Sequence, residues 1–344
     1  MSVLVLPSHR PPLDPGPRAD FLLLAERLGG RVLYPARIGA AGSAEARVGA
    51  DVRQALAAAR ARDTALYVSL SERVGLPLAL LLRRRRGGDR AAPHVLVAHR
   101  LTSRAKRFLH GKTGVFGDFA RIVVLCHSQA RAAIEEYGVP PPRVVRLWDA
   151  VDTAWWSAAD SLPRAPAAPP IVVSVGREGR DFVTLLAALR TLPEVRGVLV
   201  TGSPWSRAGS ADLPPLPAGV ETRSGLPASE LRALYVRASV AVVPLRPDCA
   251  HAAGSNALLE AMAAGLPVVA TRTPGLADYL WDGTNCRAVC AAGSPGALAD
   301  VVRNTLRDGR ALGARAAGLA RVGFSLERYV RDLERVAREA LAER

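Results

Sequence analysis

Short runs of aliphatic and β-branched residues alternate with helical stretches from one end of the chain to the other. Continuous apolar strands separated by helices are typical of parallel sheets that are covered on both faces. Six strands are predicted in each half, at 3–6, 31–34, 65–68, 95–98, 122–125 and 144–147, and at 171–175, 197–200, 221–223, 240–243, 268–270 and 287–289. The alternation therefore predicts an α/β fold of two doubly wound, Rossmann-like domains.

Helices are predicted between most of these strands, at 19–28, 46–60, 129–137, 182–191, 229–237, 256–264 and 295–307. The chain of 344 residues is long enough for two hydrophobic cores. We expect an N-terminal domain over 1–156 and a C-terminal domain over 171–322. Residues 157–170 are rich in Ala and Pro and are predicted to form a semi-rigid linker. Residues 323–344 have amphipathic spacing, which predicts a last helix that packs back on the N-terminal domain.

The formal net charge of +15 comes almost entirely from arginine. Its densest cluster is Arg83–Arg86, followed by further basic residues between Arg100 and Lys112. Such a cluster attracts phosphates or anionic lipid headgroups, or it is the solvated end of a helix. No nucleic acid partner is expected, because aromatic residues do not interleave with the arginine run.

The amino terminus resembles a first strand more than a signal peptide. The longest aliphatic stretch near the basic cluster, Leu76–Leu82, is too short to span a bilayer. Four cysteines in a chain of this size do not indicate a disulfide framework. We therefore expect a cytoplasmic protein, with peripheral contact at an anionic inner membrane surface as a further hypothesis.

The most informative segment runs from Gly254 to Thr271. Gly254 and Ser255 open a predicted helix whose unpaired N–H groups and positive dipole end form an anion site. Asn256 and Glu260 are four residues apart and therefore lie on one helix face, about 6 Å apart along the axis. That is close to the distance between a diphosphate and the ribose of one nucleotide. A carboxylate at Glu260 can accept hydrogen bonds from both ribose hydroxyls.

This segment resembles the carboxyl half of the signature of family 4 retaining glycosyltransferases, the glycosyl transferases group 1. Four further segments resemble that family in the expected order: 174–180, 200–202, 225–235 and 282–285. Together they cover residues 144–322. The resemblance implies the GT-B fold, in which the two domains face each other across a cleft. It also implies an enzyme that takes a nucleoside-diphosphate sugar as its donor.

The resemblance assigns roles to particular residues. Gly176, Arg177 and Arg180 match the loop that holds the donor phosphates, and Gly202 matches the glycine turn after the next strand. His99 ends an apolar strand where the family has a histidine that reaches the donor sugar. Arg177 and Arg180 can stabilise the departing diphosphate by charge-assisted hydrogen bonds.

The loop after the first strand is rich in Pro, Gly and Arg, and there Gly16 is predicted to allow close approach of phosphate or acceptor. The sequence contains no Asp-x-Asp, so we expect no metal and no cofactor besides the donor substrate. Asp149 and Asp152 are interpreted as markers of the hinge side of the linker.

One position departs from the family pattern. Family members carry a second glutamate eight residues before the one matching Glu260, and here that position is Ala252, preceded by His251. The glutamate normally addresses hydroxyls of the donor sugar, so donor identity stays open. The leading hypothesis is a retaining hexosyl- or deoxyhexosyltransferase acting on a small-molecule, secondary-metabolite or lipid acceptor. The alternatives are a nucleotide-sugar epimerase and a non-catalytic nucleotide-sugar-binding paralogue.

Overall fold

The computed structural model describes residues 2–11, 15–35, 50–84, 92–157, 167–201, 213–289 and 291–343. The chain forms two compact units. The first comprises Met1–Leu13, Arg18–Trp148 and Tyr329–Arg344, and the second comprises Asp14–Pro17 and Asp149–Arg328.

The first unit contains a parallel six-stranded sheet. Its strands are β1 (Ser2–Leu6), β2 (Arg31–Val32), β3 (Thr64–Ser69), β4 (His94–Ala98), β5 (Arg121–Val124) and β6 (Val144–Arg146), in the order β2-β1-β3-β4-β5-β6. Its helices are α1 (Asp20–Arg27), α2 (Val52–Arg60), α3 (Glu72–Arg83), α4 (Arg104–Thr113) and α5 (His127–Arg131), the last followed by a π-helical turn over Ala132–Glu136. The strand order reverses between β1 and β3, and such a switch point leaves a crevice at the carboxyl ends of the two strands.

The second unit contains another parallel six-stranded sheet. Its strands are β7 (Ile171–Val175), β8 (Arg196–Val200), β9 (Val220–Arg223), β10 (Val240–Val243), β11 (Val268–Thr271) and β12 (Arg287–Val289). Their order is β12-β11-β10-β7-β8-β9, the strand order of dinucleotide-binding Rossmann domains. The switch point therefore lies between β7 and β10. Its helices are α6 (Thr153–Ser157), α7 (Phe182–Arg190), α8 (Ala228–Arg237), α9 (Ser255–Ala263), α10 (Pro295–Asp308) and α11 (Arg310–Gly323).

The last helix, α12 (Leu326–Ala342), buries an apolar stripe, and from Tyr329 onward it belongs to the first unit. Val330, Leu333 and Val336 are almost fully buried. Within the first unit, Glu334 of α12 pairs with the guanidinium of Arg27 at 2.5 Å. These contacts give the helix a partner face for its apolar stripe.

The predicted fold class is confirmed, and each of the twelve predicted strands is present with ends shifted by at most two residues. Helices α3, α4, α6 and α11 were not predicted. The sequence of α3 has Pro77 inside it, and α4 buries none of its residues, so its sequence has no apolar stripe to detect. Most of the predicted linker, 157–170, lies outside the described residues.

Candidate functional site

The crevice at the β7/β10 switch point is built from two glycine-bearing loops. Gly176 follows β7 with φ +93°, and Gly254 precedes α9 with φ +87°, both in the left-handed region that favours glycine. Neither position has room for a side chain. A Cβ at Gly176 would lie 2.6 Å from Arg180 Nη2, and one at Gly254 would lie 2.6 Å from Val243 Cγ1. Both positions therefore require glycine, because the backbone is left-handed there and because Arg180 and Val243 fill the space that a side chain would need.

Arg180 lies beneath these two loops and is buried. Its Nε and Nη2 donate to the carbonyl of Val175 at 3.1 and 2.6 Å, and its Nη1 donates to the carbonyl of Glu178 at 3.0 Å. Burial lowers the pKa of Arg180 to about 10, so the guanidinium still carries its charge at neutral pH. The side chain braces the loop and brings a positive charge under the crevice.

Helix α9 begins at the crevice, and its N-cap residue, Gly254, has no side chain with which to cap the first turn. The exposed Asn256 occupies that first turn. Ser255 Oγ lies 2.5 Å from Asp149 Oδ2 and 2.8 Å from the carbonyl oxygen of Ala252. Because a helix start carries partial positive charge, this end of α9 favours an anion.

Glu260 lies one turn further along α9, where it is partly buried. Burial raises the pKa of its carboxyl group to about 8, and the nearby Asp149 carboxylate also raises it. The Tyr235 hydroxyl donates to Glu260 Oε2 at 3.4 Å. Burial also raises the pKa of Tyr235 well above its usual range, so this hydroxyl stays a donor. The carboxylate is thus held by one donor from α8 and is open to others.

The loop before α9 carries His251 and Ala252, neither of which is fully buried. Burial alone would lower the pKa of His251, but the Cys249 thiol and the Glu178 carboxylate raise it to about 9. His251 Nε2 lies 3.2 Å from Glu178 Oε1, which ties this loop to the loop after β7. The loop also passes close to Gly275, whose added Cβ would lie 1.9 Å from the His251 carbonyl oxygen. Gly275 is a requirement that sequence reasoning missed.

The carboxyl edge of the first unit has a different composition. His99 directly follows β4, and its Nε2 donates to the Leu70 carbonyl at 3.0 Å, which assigns the proton to Nε2 and leaves Nδ1 for another partner. His9 follows β1, and burial together with the charge of His99 lowers its pKa to about 4.

Glu72 opens α3 at the same edge and is buried. It accepts hydrogen bonds from Lys106 Nζ at 2.7 Å and from the Arg100 backbone N–H at 2.8 Å. Burial would raise its pKa, but Lys106 and His99 lower it to about 2.

The structure brings together, within the second unit, the predicted residues Gly176, Arg180, Gly254, Ser255 and Glu260. Arg177 lies on the loop after β7 and is partly exposed, and Asn256 lies in the first turn of α9 and is exposed. Gly202 lies outside the described residues. His99 and Gly16 lie on strand-end loops that follow β4 and β1. Sequence reasoning missed Asp149, Tyr235, His9 and Glu72. Two of these residues could have been found from the sequence. Tyr235 lies in the segment 225–235, which resembles the family, and His9 lies in the loop that follows the first strand.

The basic cluster is partly neutralised within the first unit. Arg83 pairs with Asp118, Lys106 pairs with Glu72, and Arg107 pairs with Glu136. On α4 the exposed residues include Arg104 and Lys112, and Phe108 is 70% exposed beside them. Arg85 and Arg86 lie outside the described residues.

No group of three or more His, Cys, Asp or Glu side chains in the described ranges is placed to hold a metal ion. None of the helices in those ranges has the length and apolar character required to cross a bilayer.

Comparison with known families identifies the second unit. Residues 169–308 match the family described as Glycosyl transferases group 1. This part of the chain is therefore similar to members of that family. The matched range contains the loop after β7, the start of α9 and Glu260, so the resemblance drawn from those motifs is confirmed there.

Two curated relatives are similar to this chain. The D-inositol 3-phosphate glycosyltransferase of Acidothermus cellulolyticus is 29% identical over 259 residues, which cover 68% of this chain and 56% of that protein. The enzyme of the same name from Thermobifida fusca is 31% identical over 188 residues, or 48% of this chain and 42% of that protein. The chain thus spans about half the length of the curated relatives it matches.

Solved structures resemble the whole chain. Sucrose-phosphate synthase of Thermosynechococcus elongatus superposes with a TM-score of 0.74 at 16% identity and covers 100% of both chains. A glycosyltransferase of Rickettsia africae gives 0.71 at 14% identity and covers 99% of this chain and 98% of that one. Anabaena Alr3699/HepE, solved with UDP and glucose, gives 0.68 at 15% identity and covers 97% of this chain and 98% of that one. At these identities the likeness shows the fold, which is the predicted GT-B fold.

Proposed function

We propose that this chain is a retaining, metal-independent glycosyltransferase that moves a hexosyl or deoxyhexosyl group from a nucleoside-diphosphate sugar to a small-molecule or lipid acceptor. The observation that carries the proposal is the crevice at the β7/β10 switch point. It combines an uncapped helix start, a buried arginine and a carboxylate one helical turn away. Those are the groups that a diphosphate and a ribose require in one place.

The donor would lie along the first turns of α9. Its diphosphate would bind at the N–H group of Asn256, because that of Ser255 donates to the Ala252 carbonyl at 3.2 Å, and its ribose hydroxyls would donate to Glu260. Structures resembling this chain have been solved with UDP and with UDP-glucose, which makes a uridine nucleotide the first donor to try. Gly176 and Gly254 would set the shape of the two loops beside the phosphates, because both adopt left-handed backbone.

Departure of the nucleoside diphosphate is the step that requires stabilisation, because negative charge develops on this leaving group. Arg177, the charge of Arg180 beneath the loop, and the α9 dipole would stabilise that charge without a metal ion. Fixed donors of this kind are effective because they need little reorganisation as the charge develops.

His99 is the residue that we propose acts at the reacting sugar. Its Nε2 proton is donated to the Leu70 carbonyl, so its Nδ1 is the atom that can accept a hydrogen bond from the donor sugar or the acceptor. Retention of the anomeric configuration is proposed because the motifs of 254–271 resemble those of retaining enzymes.

The acceptor is proposed in two forms. The curated relatives are named for a phosphorylated inositol, which supports a small polyol acceptor from biosynthesis. The exposed face of α4, with Arg104, Phe108 and Lys112, supports a lipid acceptor reached from the cytoplasmic membrane surface. Sedimentation with phosphatidylcholine vesicles, with and without phosphatidylglycerol, separates the two kinds of acceptor. Binding only to the vesicles that contain phosphatidylglycerol, reduced by Phe108→Ser, favours a lipid acceptor. No binding to either kind of vesicle favours a polyol acceptor.

Activity with a panel of donors tests the function itself. We expect transfer or slow donor hydrolysis with at least one of UDP-, GDP-, ADP- or dTDP-glucose, undiminished in EDTA, and NMR should show a product that keeps the donor's anomeric configuration. Turnover that requires added Mg²⁺ or Mn²⁺ would contradict metal independence, and an inverted product would contradict retention. Nucleotide binding without turnover would instead support a non-catalytic paralogue.

A further inference from the structure

Asp149 opens the longer segment of the second unit, Asp149–Arg328, and its carboxylate lies at the start of α9. Three contacts fix the residue: its Oδ2 lies 2.5 Å from Ser255 Oγ, its Oδ1 accepts from the Ala150 N–H at 2.9 Å, and its own N–H donates to the Tyr279 hydroxyl at 2.9 Å. The side chain is still partly exposed. A resident anion therefore occupies the end of the helix that would otherwise attract the donor diphosphate.

The position of this carboxylate within the site is set by its neighbours. Ser255 Oγ contacts both Asp149 and the carbonyl of Ala252, so the Asp149 carboxylate lies beside the loop that carries Ala252. The charge of Asp149 also acts on Glu260 one turn further along α9. Asp149 thus lies at the diphosphate end of the proposed nucleotide path, with Glu260 at the ribose end.

We propose that Asp149 discriminates the sugar-bearing donor from the bare nucleoside diphosphate. The inference rests on the proposed function, because it assumes that the donor diphosphate binds at the start of α9. Two effects give the discrimination. The terminal phosphate of a free nucleoside diphosphate carries about one more negative charge than the same phosphate esterified to a sugar, so a nearby carboxylate repels it more. The donor also carries hydroxyl groups next to that phosphate, and a carboxylate accepts hydrogen bonds from hydroxyls.

The consequence for turnover concerns the product. After transfer, the sugar and its hydroxyls leave, and the bare diphosphate remains against Asp149. The carboxylate then weakens product binding at the stage when release is required. Asp149 would be a specificity-determining residue whose effect appears in the ratio of two dissociation constants.

The test is calorimetric titration of wild type and Asp149→Asn with UDP and with UDP-glucose. The asparagine keeps the shape of the side chain and its ability to accept from Ser255, but it removes the charge. We expect UDP to bind about 3- to 10-fold more tightly to the variant. That range follows from removing the repulsion between two unit charges about 6 Å apart, with an effective dielectric constant between that of water and half that value. UDP-glucose affinity should change by less than about 2-fold or weaken, because the lost hydroxyl contact offsets the lost repulsion.

A matched control is Asp308→Asn, which removes the same charge at an exposed residue of the same unit that pairs with Arg287. It should leave both affinities unchanged. The gain in UDP affinity from Asp149→Asn should also shrink as salt is raised. Equal tightening for both ligands, no change, or weaker UDP binding in Asp149→Asn would overturn the inference while leaving the nucleotide site in place. Failure of wild type to bind UDP, GDP, ADP and dTDP would overturn the proposed function and this inference with it.

Discussion

The two units share one topological feature, a switch point in the strand order, but different residues surround it in each unit. Each sheet has a switch point, between β1 and β3 in the first unit and between β7 and β10 in the second. At the second unit's switch point, two loops that require Gly176 and Gly254 and a helix start lie over a buried arginine. At the first unit's switch point, the strand-end residues are His9 and Glu72, with His99 on the next strand. The comparison shows that the strand order creates a crevice, but the residues after the strands decide what it binds.

Charge balance separates the two crevices. The hydrogen bonds of Arg180 are to backbone carbonyls, which leave its positive charge in place for an anion. In the first unit the buried charge of Glu72 is compensated by Lys106, and His9, with its pKa of about 4, is neutral at pH 7. The second unit's crevice is therefore suited to a diphosphate. At the first unit's edge the charge of Glu72 is compensated by Lys106, so this edge offers hydrogen-bonding groups without the uncompensated positive charge of Arg180.

The strongest test of this division is His99→Ala. If the first unit supplies chemistry and the second supplies nucleotide binding, turnover should fall by roughly 10²- to 10⁴-fold, the range for a group that assists proton transfer. The dissociation constant for the nucleoside diphosphate should change by less than about 2-fold. The exposed His127, replaced by alanine, is the matched control and should retain wild-type turnover. A parallel loss of nucleotide affinity in His99→Ala would show that the division is wrong.

A second test asks whether the charge of Glu72 is compensated as described. Lys106→Met leaves a buried carboxylate without its cation, and we expect the free energy of unfolding at pH 7 to fall by about 3 kcal/mol. Lys112→Met, an exposed change on the same helix, should cost less than about 0.5 kcal/mol. Urea unfolding monitored by circular dichroism measures both. Equal stability of the two variants would contradict the assignment.

The loss of stability at acidic pH is a further test of the Glu72–Lys106 ion pair. The pKa of Glu72 is lowered from 4.5 to about 2, so its contribution is fully present above pH 4.5 and is lost as the pH falls through 2. Wild type should lose this contribution, about 3 kcal/mol, over that range. In Lys106→Met the loss should be much smaller.

A smaller effect should appear in the pH dependence of nucleotide binding. The pKa of Glu260 is raised to about 8 in the free protein. If ribose hydroxyls donate to the carboxylate, binding lowers this pKa, so affinity should rise with pH through 8, by up to about 10-fold for a shift of one pKa unit. Glu260→Gln cannot ionise, so subtracting its profile removes the titration of the phosphate itself. Identical profiles for wild type and Glu260→Gln would contradict a hydrogen-bonded carboxylate.

Much of the fold could be predicted because its strands are continuous apolar runs. Segments such as 171–175 and 240–243 are buried on both faces and need no partner to be recognised, and these two match the structure at both ends. Helix α4 could not be predicted, because a helix that buries no residue has no periodic signal. Helix α3 was missed because Pro77 interrupts a sequence that tertiary packing nonetheless holds helical.

The site was predictable where one motif holds the residues together. Gly254, Ser255 and Glu260 are close in sequence, so helix geometry alone places them. Asp149 was interpreted as a hinge marker because 106 residues separate it from Ser255, and only tertiary structure brings them within hydrogen-bonding distance. Arg180 was predicted to contact the diphosphate. In the structure its side chain lies under its own loop instead, because its guanidinium donates hydrogen bonds to the backbone carbonyl of Val175. Whether its charge acts on a ligand from there stays a prediction.

The most direct measurement of the central claim is calorimetric titration of a nucleoside diphosphate into wild type and Glu260→Ala above pH 8, where the Glu260 carboxyl group is ionised. The account places the ribose on this carboxylate, and hydrogen bonds to a charged group are worth roughly 1.5–3 kcal/mol. Glu260→Ala should therefore bind about 10- to 150-fold more weakly, whereas Glu230→Ala, which removes an exposed carboxylate from α8, should bind like wild type. Unchanged binding in Glu260→Ala would contradict the assignment of the second unit's crevice as the nucleotide site.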